Sequence, residues 1–217
     1  MTSYGVIYMA WGDNAIKQTQ DSIWSLRRLD QNCPVRVVGP AAAEKSFSPG
    51  EFHKVDLDPF NENGPKGFKF LAGRIKPLLA GISPFDLSLY VDADTCFLKS
   101  PKVGFDLLDR WDVVLSETQT RSLAPGGVAG EKESRETVAM IGSKHILYHN
   151  SGMIFWRRNE RTARLFDLWG EEWLRYQGWD EQVALLRALF RSSVSFLTVP
   201  YTWNCHSSKE AYLLHHW

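Results

Sequence analysis

The chain has 217 residues, of which 44% are hydrophobic and 13% aromatic, and its 25 basic and 25 acidic side chains give a formal net charge of +0. This composition is typical of a folded globular chain and excludes a disordered or fibrous one. Because the excess positive charge of nucleic-acid-binding proteins is missing, the balance argues against a nucleic-acid partner.

The length predicts a single domain over residues 1–217. No stretch reaches the roughly 18 apolar residues of a membrane span, and the first residues lack the basic start of a secretion signal. We therefore expect no integral membrane segment and a cytoplasmic location. Three widely spaced cysteines, Cys33, Cys96 and Cys205, have no metal-ligand spacing, which predicts reduced thiols.

The first half of the chain alternates between strand and helix patterns. An apolar run over residues 4–10, followed by polar residues and then by apolar positions at helical spacing, predicts a strand, a turn and a helix. Residues 35–38 and, more weakly, 53–57 predict further strands. Residues 68–79 predict a helix that Pro77 bends. Strands separated by helices predict a mostly parallel sheet with crossover connections.

The second half continues this alternation around one long polar stretch. Strands are predicted at 87–91, 112–115, 152–156 and 194–199, and helices at 162–176 and 180–190. The polar, glycine-containing stretch 117–145 predicts a long loop. An exposed mobile loop and a lid ordered by substrate both fit this stretch.

Two aspartates, Asp92 and Asp94, directly follow the strand predicted at 87–91. Ligands of open α/β sheets bind at the carboxyl ends of strands. Carboxylate oxygens suit Mg²⁺ or Mn²⁺, whose remaining ligands are commonly water and substrate phosphates. The pair therefore indicates a metal-bound, phosphate-bearing ligand, while a solvated turn is the structural alternative.

The segment SPFDLSLYVDADTCFL resembles the signature of the metal-dependent nucleotide-sugar glycosyltransferases of the GT-A fold. Other segments follow in that family's order: an N-terminal strand and helix, a basic helix before the two aspartates, Asn150-Ser151-Gly152 entering a later strand, and Asp180-Glu181-Gln182 opening a helix. Together they cover most of the chain. The resemblance implies an α/β, Rossmann-like GT-A fold whose mostly parallel central sheet is flanked by helices.

The resemblance also implies a function and a set of site residues. The chain would transfer a sugar from a nucleoside-diphosphate sugar, most simply a UDP-sugar, to a carbohydrate or other hydroxyl acceptor. Asp180 would be the catalytic acid that reaches the reacting sugar or the acceptor. The residues implied to bind the donor are Ala10, Trp11, Gly12, Arg74, Lys76, Asp92, Ala93, Asp94, Asn150, Ser151 and Gly152.

Each of these residues also has a plain structural interpretation. Trp11 would either stack on the base or pack in the core, and Arg74 and Lys76 would either contact phosphate or ribose or form a solvated helix face. Asn150 to Gly152 also fit a simple turn, and Asp180 a helix cap.

The same resemblance implies that His215, near the end of the sequence, is a third metal ligand. Asp92, Asp94 and His215 would hold Mn²⁺ or Mg²⁺, because a histidine after an apolar strand completes the metal site in that family. His216 is expected to point to the opposite face. The family pattern continues past this histidine with a glycine, whereas this sequence stops at Trp217. The chain is therefore expected either to be the N-terminal part of a longer protein or to close its donor site by other means.

Three other classes of protein match parts of this pattern. A phosphatase of the haloacid dehalogenase type carries D-x-D-x-T after its first strand, whereas Thr95 comes one position too early and Asp92 follows several elements. A nucleotidyltransferase is disfavoured because the first turn lacks a glycine-rich basic loop. A non-catalytic module that binds sugar nucleotides is the main alternative to a transferase.

Overall fold

Seven strands form the central sheet in the described part of the chain, which comprises residues 2–55, 68–118, 130–176, 181–207 and 209–215 of a computed structural model. A two-stranded antiparallel sheet lies beside it. The strands of the central sheet are β1 (Tyr4–Met9), β2 (Val35–Gly39), β3 (Phe52–Lys54), β4 (Leu87–Val91), β6 (Val113–Glu117), β7 (His149–Arg157) and β8 (Phe196–Val199), and those of the small sheet are β5 (Thr95–Phe97) and β9 (Leu213–His215).

The central sheet is mostly parallel. Its spatial order is β3-β2-β1-β4-β7-β6-β8, and of these seven strands only β7 runs antiparallel to its neighbours. The beginning of β7 therefore lies at the same edge as the ends of β4 and β6. This α/β arrangement with a mostly parallel sheet confirms the fold class predicted from the sequence.

Helices cover both faces of the sheet. They are α1 (Asp13–Arg27), α2 (Phe68–Ile75), α3 (Leu79–Ile82), α4 (Lys102–Leu107), α5 (Glu131–Ile141), α6 (Glu160–Tyr176) and α7 (Glu181–Arg191). Within the described residues, no helix is both long and apolar enough to cross a bilayer. All three cysteines are free, and Cys33 and Cys205 are buried.

Successive residues of the central strands enter two different cores. Along β7, Ile154 and Trp156 pack against α2, α3, α6 and α7, whereas Met153 and Phe155 pack against α1 and α4 on the other face. A strand buried on both faces has no polar side to alternate with its apolar one. This explains why the strands are recognisable in the sequence as short, almost continuous apolar runs.

One predicted helix is broken at a proline. The helix expected over residues 68–79 ends at Ile75, and Lys76–Leu78 form a 3₁₀ turn before α3. Pro77 has no backbone N–H to donate, and its ring crowds the preceding turn, so a regular helix cannot pass through it. The break places Lys76 in a turn rather than on the exposed side of a helix.

The long loop predicted over residues 117–145 is wrong for residues 131–141, which form α5. Its buried face is polar, with Glu133, Ser134 and Thr137 shielded from solvent. Apolar packing is confined to its last two turns, where Val138 and Ile141 are partly buried. The apolar stripe by which helices are usually recognised is therefore short. Residues 119–129 of the same stretch lie outside the described part of the chain.

A fully buried arginine explains the polar face of α5. Arg187 of α7 forms ion pairs with Glu133 of α5 at 2.9 Å and with Glu172 of α6 at 2.7 Å. It also donates to the Thr137 hydroxyl at 2.9 Å, and its guanidinium lies 4.4 Å from the Tyr176 ring centre. A buried charge needs such partners. One side chain thus joins three helices.

The buried Asp112, which directly precedes β6, forms hydrogen bonds with residues at the start of α6 and just before β8. Asp112 accepts two hydrogen bonds from Arg161, at 2.7 and 2.8 Å, and one from Asn159 at 2.7 Å. The backbone N–H and hydroxyl of Ser195 also donate to it, both at 3.0 Å. The Arg161 hydrogen bonds hold the pKa of Asp112 well below its usual range, against the opposing effect of burial.

We expect Asp112→Asn to lower the free energy of unfolding at pH 7 by about 2 kcal/mol, because charged acceptors of buried hydrogen bonds contribute more than neutral ones. The native carboxylate has a depressed pKa, so its contribution is complete above the unfolded-state value of about 4 and is lost as the pH falls. Urea unfolding measures this: the difference in the free energy of unfolding between the variant and the parent protein should be smaller at pH 3 than at pH 7.

The exposed neighbour Asp109 supplies the control, because Asp109→Asn should change stability little at either pH. Equal effects of the two substitutions would contradict this account of Asp112.

Candidate functional site

The site lies where strands of the central sheet end or begin. Asp92 follows β4, and Ala10, Trp11 and Gly12 follow β1, which is parallel to β4. The antiparallel β7 begins at the same edge, and the Asp92 N–H donates to the Gly152 carbonyl oxygen at 3.0 Å. Pairing of β7 with β6 shifts register between Leu115 and Ser116. The irregularity leaves residues 151–153 of β7 outside the ladder with β6.

Asp92, Asp94 and His215 form a compact group of potential metal ligands. One ligand atom from each lies within 4.8 Å of the others. The Nε2 atom of His215 is 3.1 Å from Asp94 Oδ1 and 3.7 Å from Asp92 Oδ2. His215 reaches this position because β9 pairs with β5, which places it opposite Thr95, the residue after Asp94.

Gly152 makes room for this cluster. A Cβ atom at this position would lie 2.5 Å from Asp92 Oδ2, 2.8 Å from His215 Cε1 and 3.0 Å from Asn150 Oδ1. The Asn150 side chain accepts a hydrogen bond from the Gly152 N–H at 2.8 Å. The absence of a side chain therefore allows two of the potential ligands to approach the backbone of β7.

Lys76 lies beneath the cluster and is only 3% exposed. Its ammonium is 3.1 Å from Asp92 Oδ1 and 2.9 Å from Glu181 Oε1. It donates to the Ser151 hydroxyl at 3.2 Å, and that hydroxyl donates to Glu181 at 2.7 Å. Of the two sequence interpretations of Lys76, a solvated helix face is wrong, because the ammonium is buried and has internal partners. The contact with phosphate or ribose stays a prediction.

The two oxygens of Asp92 have different surroundings. Oδ1 accepts hydrogen bonds from the interior, from the Tyr90 hydroxyl and the Lys76 ammonium. Oδ2 faces His215 and Gly152. Lys76 and Tyr90 thus fix the carboxylate so that one oxygen points toward the cluster.

The charge states follow from burial and neighbouring charges. Burial lowers the pKa of Lys76, but the carboxylates of Asp92 and Glu181 outweigh this effect and raise it above its usual range. Burial also lowers the pKa of His215. The hydrogen bond to Asp94 and the charges of both aspartates outweigh this effect, so the pKa of His215 is raised overall. Burial and the nearby Asp92 raise the pKa of Tyr90, which therefore remains a hydrogen-bond donor.

The remaining predicted donor residues are divided between interior and surface. Trp11 is 8% exposed and packs in the core on the α6 side of the sheet, so its ring does not form an open stacking platform. Gly12 is exposed with φ 82°, and Arg74 is also exposed. Asn150 is half-buried, whereas Ala93 and Ser151 are buried.

Asp180 and His216 lie outside the described residues. The adjacent Glu181, named in the sequence only as part of the helix opening, is the acid that the structure brings to Lys76 and Ser151. The sequence signal for Glu181 is weak, because acidic residues are common in the first turn of a helix, where the helix dipole favours them. Its contact with Lys76 is visible only in the structure.

The donor set of the cluster fits a divalent cation. Two carboxylates and one imidazole supply hard oxygen and borderline nitrogen ligands, and the carboxylates suit Mg²⁺ and Mn²⁺. The three side chains are half-buried or buried and converge from two separate parts of the chain. The residues present therefore fit the predicted metal.

The model of the nucleotide-diphospho-sugar transferase family matches residues 77–212, which is more than half of the chain. The chain belongs to this family. It is therefore a glycosyltransferase by descent, which favours the transferase interpretation over the phosphatase. Among curated protein sequences, none matches the chain.

Solved glycosyltransferases share the fold of this family member. The galactosyltransferase LgtC, solved with donor and acceptor sugar analogues, is 15% identical with a TM-score of 0.64, and the match covers 97% of this chain and 86% of LgtC. Mouse xyloside xylosyltransferase 1 is 12% identical with a TM-score of 0.62, over 98% of this chain and 97% of its own. The bifunctional glycosyltransferase WbbM matches over 94% of this chain and 40% of its own, at 13% identity and a TM-score of 0.62. These structures are similar in fold.

We expect Gly152→Ala to weaken Mn²⁺ binding by at least about tenfold, because the added methyl group would displace Asp92 or His215 and misplaced ligands commonly cost that much. Gly81→Ala is the matched control, since a Cβ there meets nothing within 4 Å. Titration of free Mn²⁺ by electron paramagnetic resonance measures both affinities. Unchanged Mn²⁺ affinity in Gly152→Ala would show that ions do not bind at this cluster.

Proposed function

We propose that this chain transfers a sugar from a UDP-sugar to a carbohydrate hydroxyl in a reaction that depends on Mn²⁺. The observation that carries the proposal is the cluster of Asp92, Asp94 and His215 at the carboxyl end of β4 in a member of this transferase family. Nucleoside-diphosphate donors carry the phosphate oxygens that commonly complete a two-carboxylate metal site. The imidazole nitrogen favours Mn²⁺ over Mg²⁺, which prefers oxygen ligands.

The chemical problem is the negative charge that develops on the departing diphosphate. A divalent cation held by Asp92, Asp94 and His215 would neutralise that charge when bound. Lys76 and Tyr90 would keep Asp92 in position, which lowers the reorganisation needed as charge develops. Lys76 itself acts through Asp92 in this account rather than as a phosphate ligand.

The donor would bind along the edge of the sheet that carries the cluster. Backbone groups of Ala10, Trp11 and Gly12 after β1 are candidates for contact with the base. Arg74 is exposed and retains a guanidinium fork suited to phosphate. Asn150 and Gly152 border the cluster and would face the sugar through amide and backbone groups.

We expect Asp94→Ala to abolish nucleotide binding that is sensitive to EDTA, because it removes one of two carboxylate ligands while leaving the interior contacts of Asp92 intact. Thermal stabilisation by a panel of nucleotide sugars, with and without Mn²⁺, measures this. The same titrations should show that His215→Ala weakens Mn²⁺ affinity by at least about tenfold, roughly 1.4 kcal/mol, and His216→Ala much less.

The exposed His145 provides a control for general effects of losing a histidine. If EDTA left the nucleotide affinity of the parent protein unchanged, this would contradict metal-dependent donor binding. Equal small effects of the three histidine substitutions would remove His215 from the site.

Asp180 is the proposed catalytic residue, since it directly precedes α7, whose first residue Glu181 touches Lys76 and Ser151. We expect Asp180→Asn to reduce sugar transfer, or donor hydrolysis in water, by at least about a hundredfold, a typical contribution of a positioned carboxylate. Donor affinity should change little. Turnover by the parent protein distinguishes an enzyme from a binding module, and full activity of Asp180→Asn would exclude this role.

A further inference from the structure

A groove runs between α1 and β5, beside the metal cluster rather than within it. Its volume is about 630 Å³. That volume lies within the range of small-molecule sites, roughly 300–1,000 Å³. One face of α1 forms one wall, and residues 93–98 form the other. No residue that the sequence predicted as donor-binding lies on the α1 wall.

Hydrogen bonds between helix and strand hold the groove at its base. The Phe97 N–H donates to the Ser25 hydroxyl at 2.9 Å, and the hydroxyls of Ser22 and Thr95 are 3.0 Å apart. All four residues are buried. The groove is therefore bounded by fixed elements rather than by a loose surface loop.

The rim combines an exposed aromatic ring with exposed apolar side chains. Trp24 is 63% exposed, and Leu29 and Leu98 are 42% and 43% exposed. The Arg28 guanidinium lies 4.8 Å from the centre of the Trp24 ring. This stacking limits the orientations that the indole can adopt, so a ligand would meet a partly ordered ring.

The polar groups of the groove favour a neutral ligand rich in hydroxyls. Gln18, Asp21 and Arg28 project from the same helix face as Trp24 and carry planar groups that can each engage neighbouring hydroxyls. Asp21 and Arg28 have opposite charges, and the remaining charged residue of the groove, Asp94, is a potential metal ligand whose charge a bound cation would offset. An anionic or a cationic ligand would therefore be attracted by one and repelled by the other, whereas a carbohydrate pairs with both and can place an apolar ring face on Trp24.

The groove is continuous with the metal cluster through Asp94. This residue belongs to the cluster and also lines the groove. The wall formed by α1 and the two residues that follow it, from Gln18 to Leu29, extends roughly 16 Å at about 1.5 Å per residue. A ligand whose reacting end lies at the cluster would therefore have room for several further sugar rings along α1.

We propose that the groove between α1 and β5 binds the sugar rings of an oligosaccharide acceptor that lie beyond the ring receiving the transferred sugar. This inference rests on the proposed function and assigns a substrate class to a separate surface. Trp24 is the central contact, and Gln18, Asp21 and Arg28 bind hydroxyls on either side of it.

The experiment uses the full chain with 5-fluorotryptophan, with the Trp24 fluorine resonance assigned from Trp24→Phe. The probes are malto-, xylo- and galacto-oligosaccharides of one to five rings, added in the presence of Mg²⁺ and UDP. We expect the Trp24 resonance to shift with oligosaccharides of several rings and to remain in place with the single sugars. Trp24→Ala should weaken binding of the longer oligosaccharides about fivefold or more, in line with about 1 kcal/mol for an aromatic contact.

Phe190→Ala is the matched control, because Phe190 is an aromatic residue of similar exposure, 55%, outside the groove. It should leave oligosaccharide affinity unchanged. A Trp24 resonance that no oligosaccharide moves, or equal effects of the two substitutions, would overturn the inference. So would binding of alkyl glycosides that strengthens with alkyl length, which would indicate a lipid groove.

Failure of the proposed function has a different signature. In that case no nucleotide sugar stabilises the parent protein with Mn²⁺, whether or not oligosaccharides move the Trp24 resonance. Stabilisation by a nucleotide sugar together with an unmoved Trp24 resonance would overturn the groove assignment alone.

Discussion

The geometry of the site depends on one buried ammonium group, that of Lys76. It compensates the charges of two carboxylates, Asp92 and Glu181, that would otherwise be costly to keep partly shielded from water. Through Ser151 it also contacts β7. The end of β4, the beginning of β7 and the beginning of α7 are thus held by a single charge, and the proline that follows Lys76 keeps it in the turn from which it reaches all three.

This arrangement divides the residues of the site into two layers. The inner layer, which includes Lys76 and Tyr90, is buried, and it holds one oxygen of Asp92 by hydrogen bonds. The outer layer is the cluster of Asp92, Asp94 and His215, in which the second oxygen points outward past Gly152. Preorganisation of this kind is characteristic of sites that must stabilise developing charge, because ligands that are already oriented need little rearrangement.

Much of the fold and the centre of the site were predictable from the sequence. Strands buried on both faces are recognisable as short apolar runs. The family resemblance named Asp92, Asp94 and His215 as metal ligands, and the structure brings these three side chains together. The burial of Lys76 was not predictable, since its partner Glu181 is more than a hundred residues away along the chain. Helix α5 was missed because its fully buried residues are polar and lie near Arg187, so that its apolar stripe is short. The groove along α1 was missed because its walls come from separate segments.

The complete burial of Arg187 has a consequence for how the molecule opens. If any one of α5, α6 and α7 separated from the others, the guanidinium would lose partners while still in the interior, at a cost of several kcal/mol. We therefore expect the three helices to open together in native-state fluctuations. Amide hydrogens of α5 should then exchange through the same opening as those of α6 and α7, although one side of α5 faces solvent.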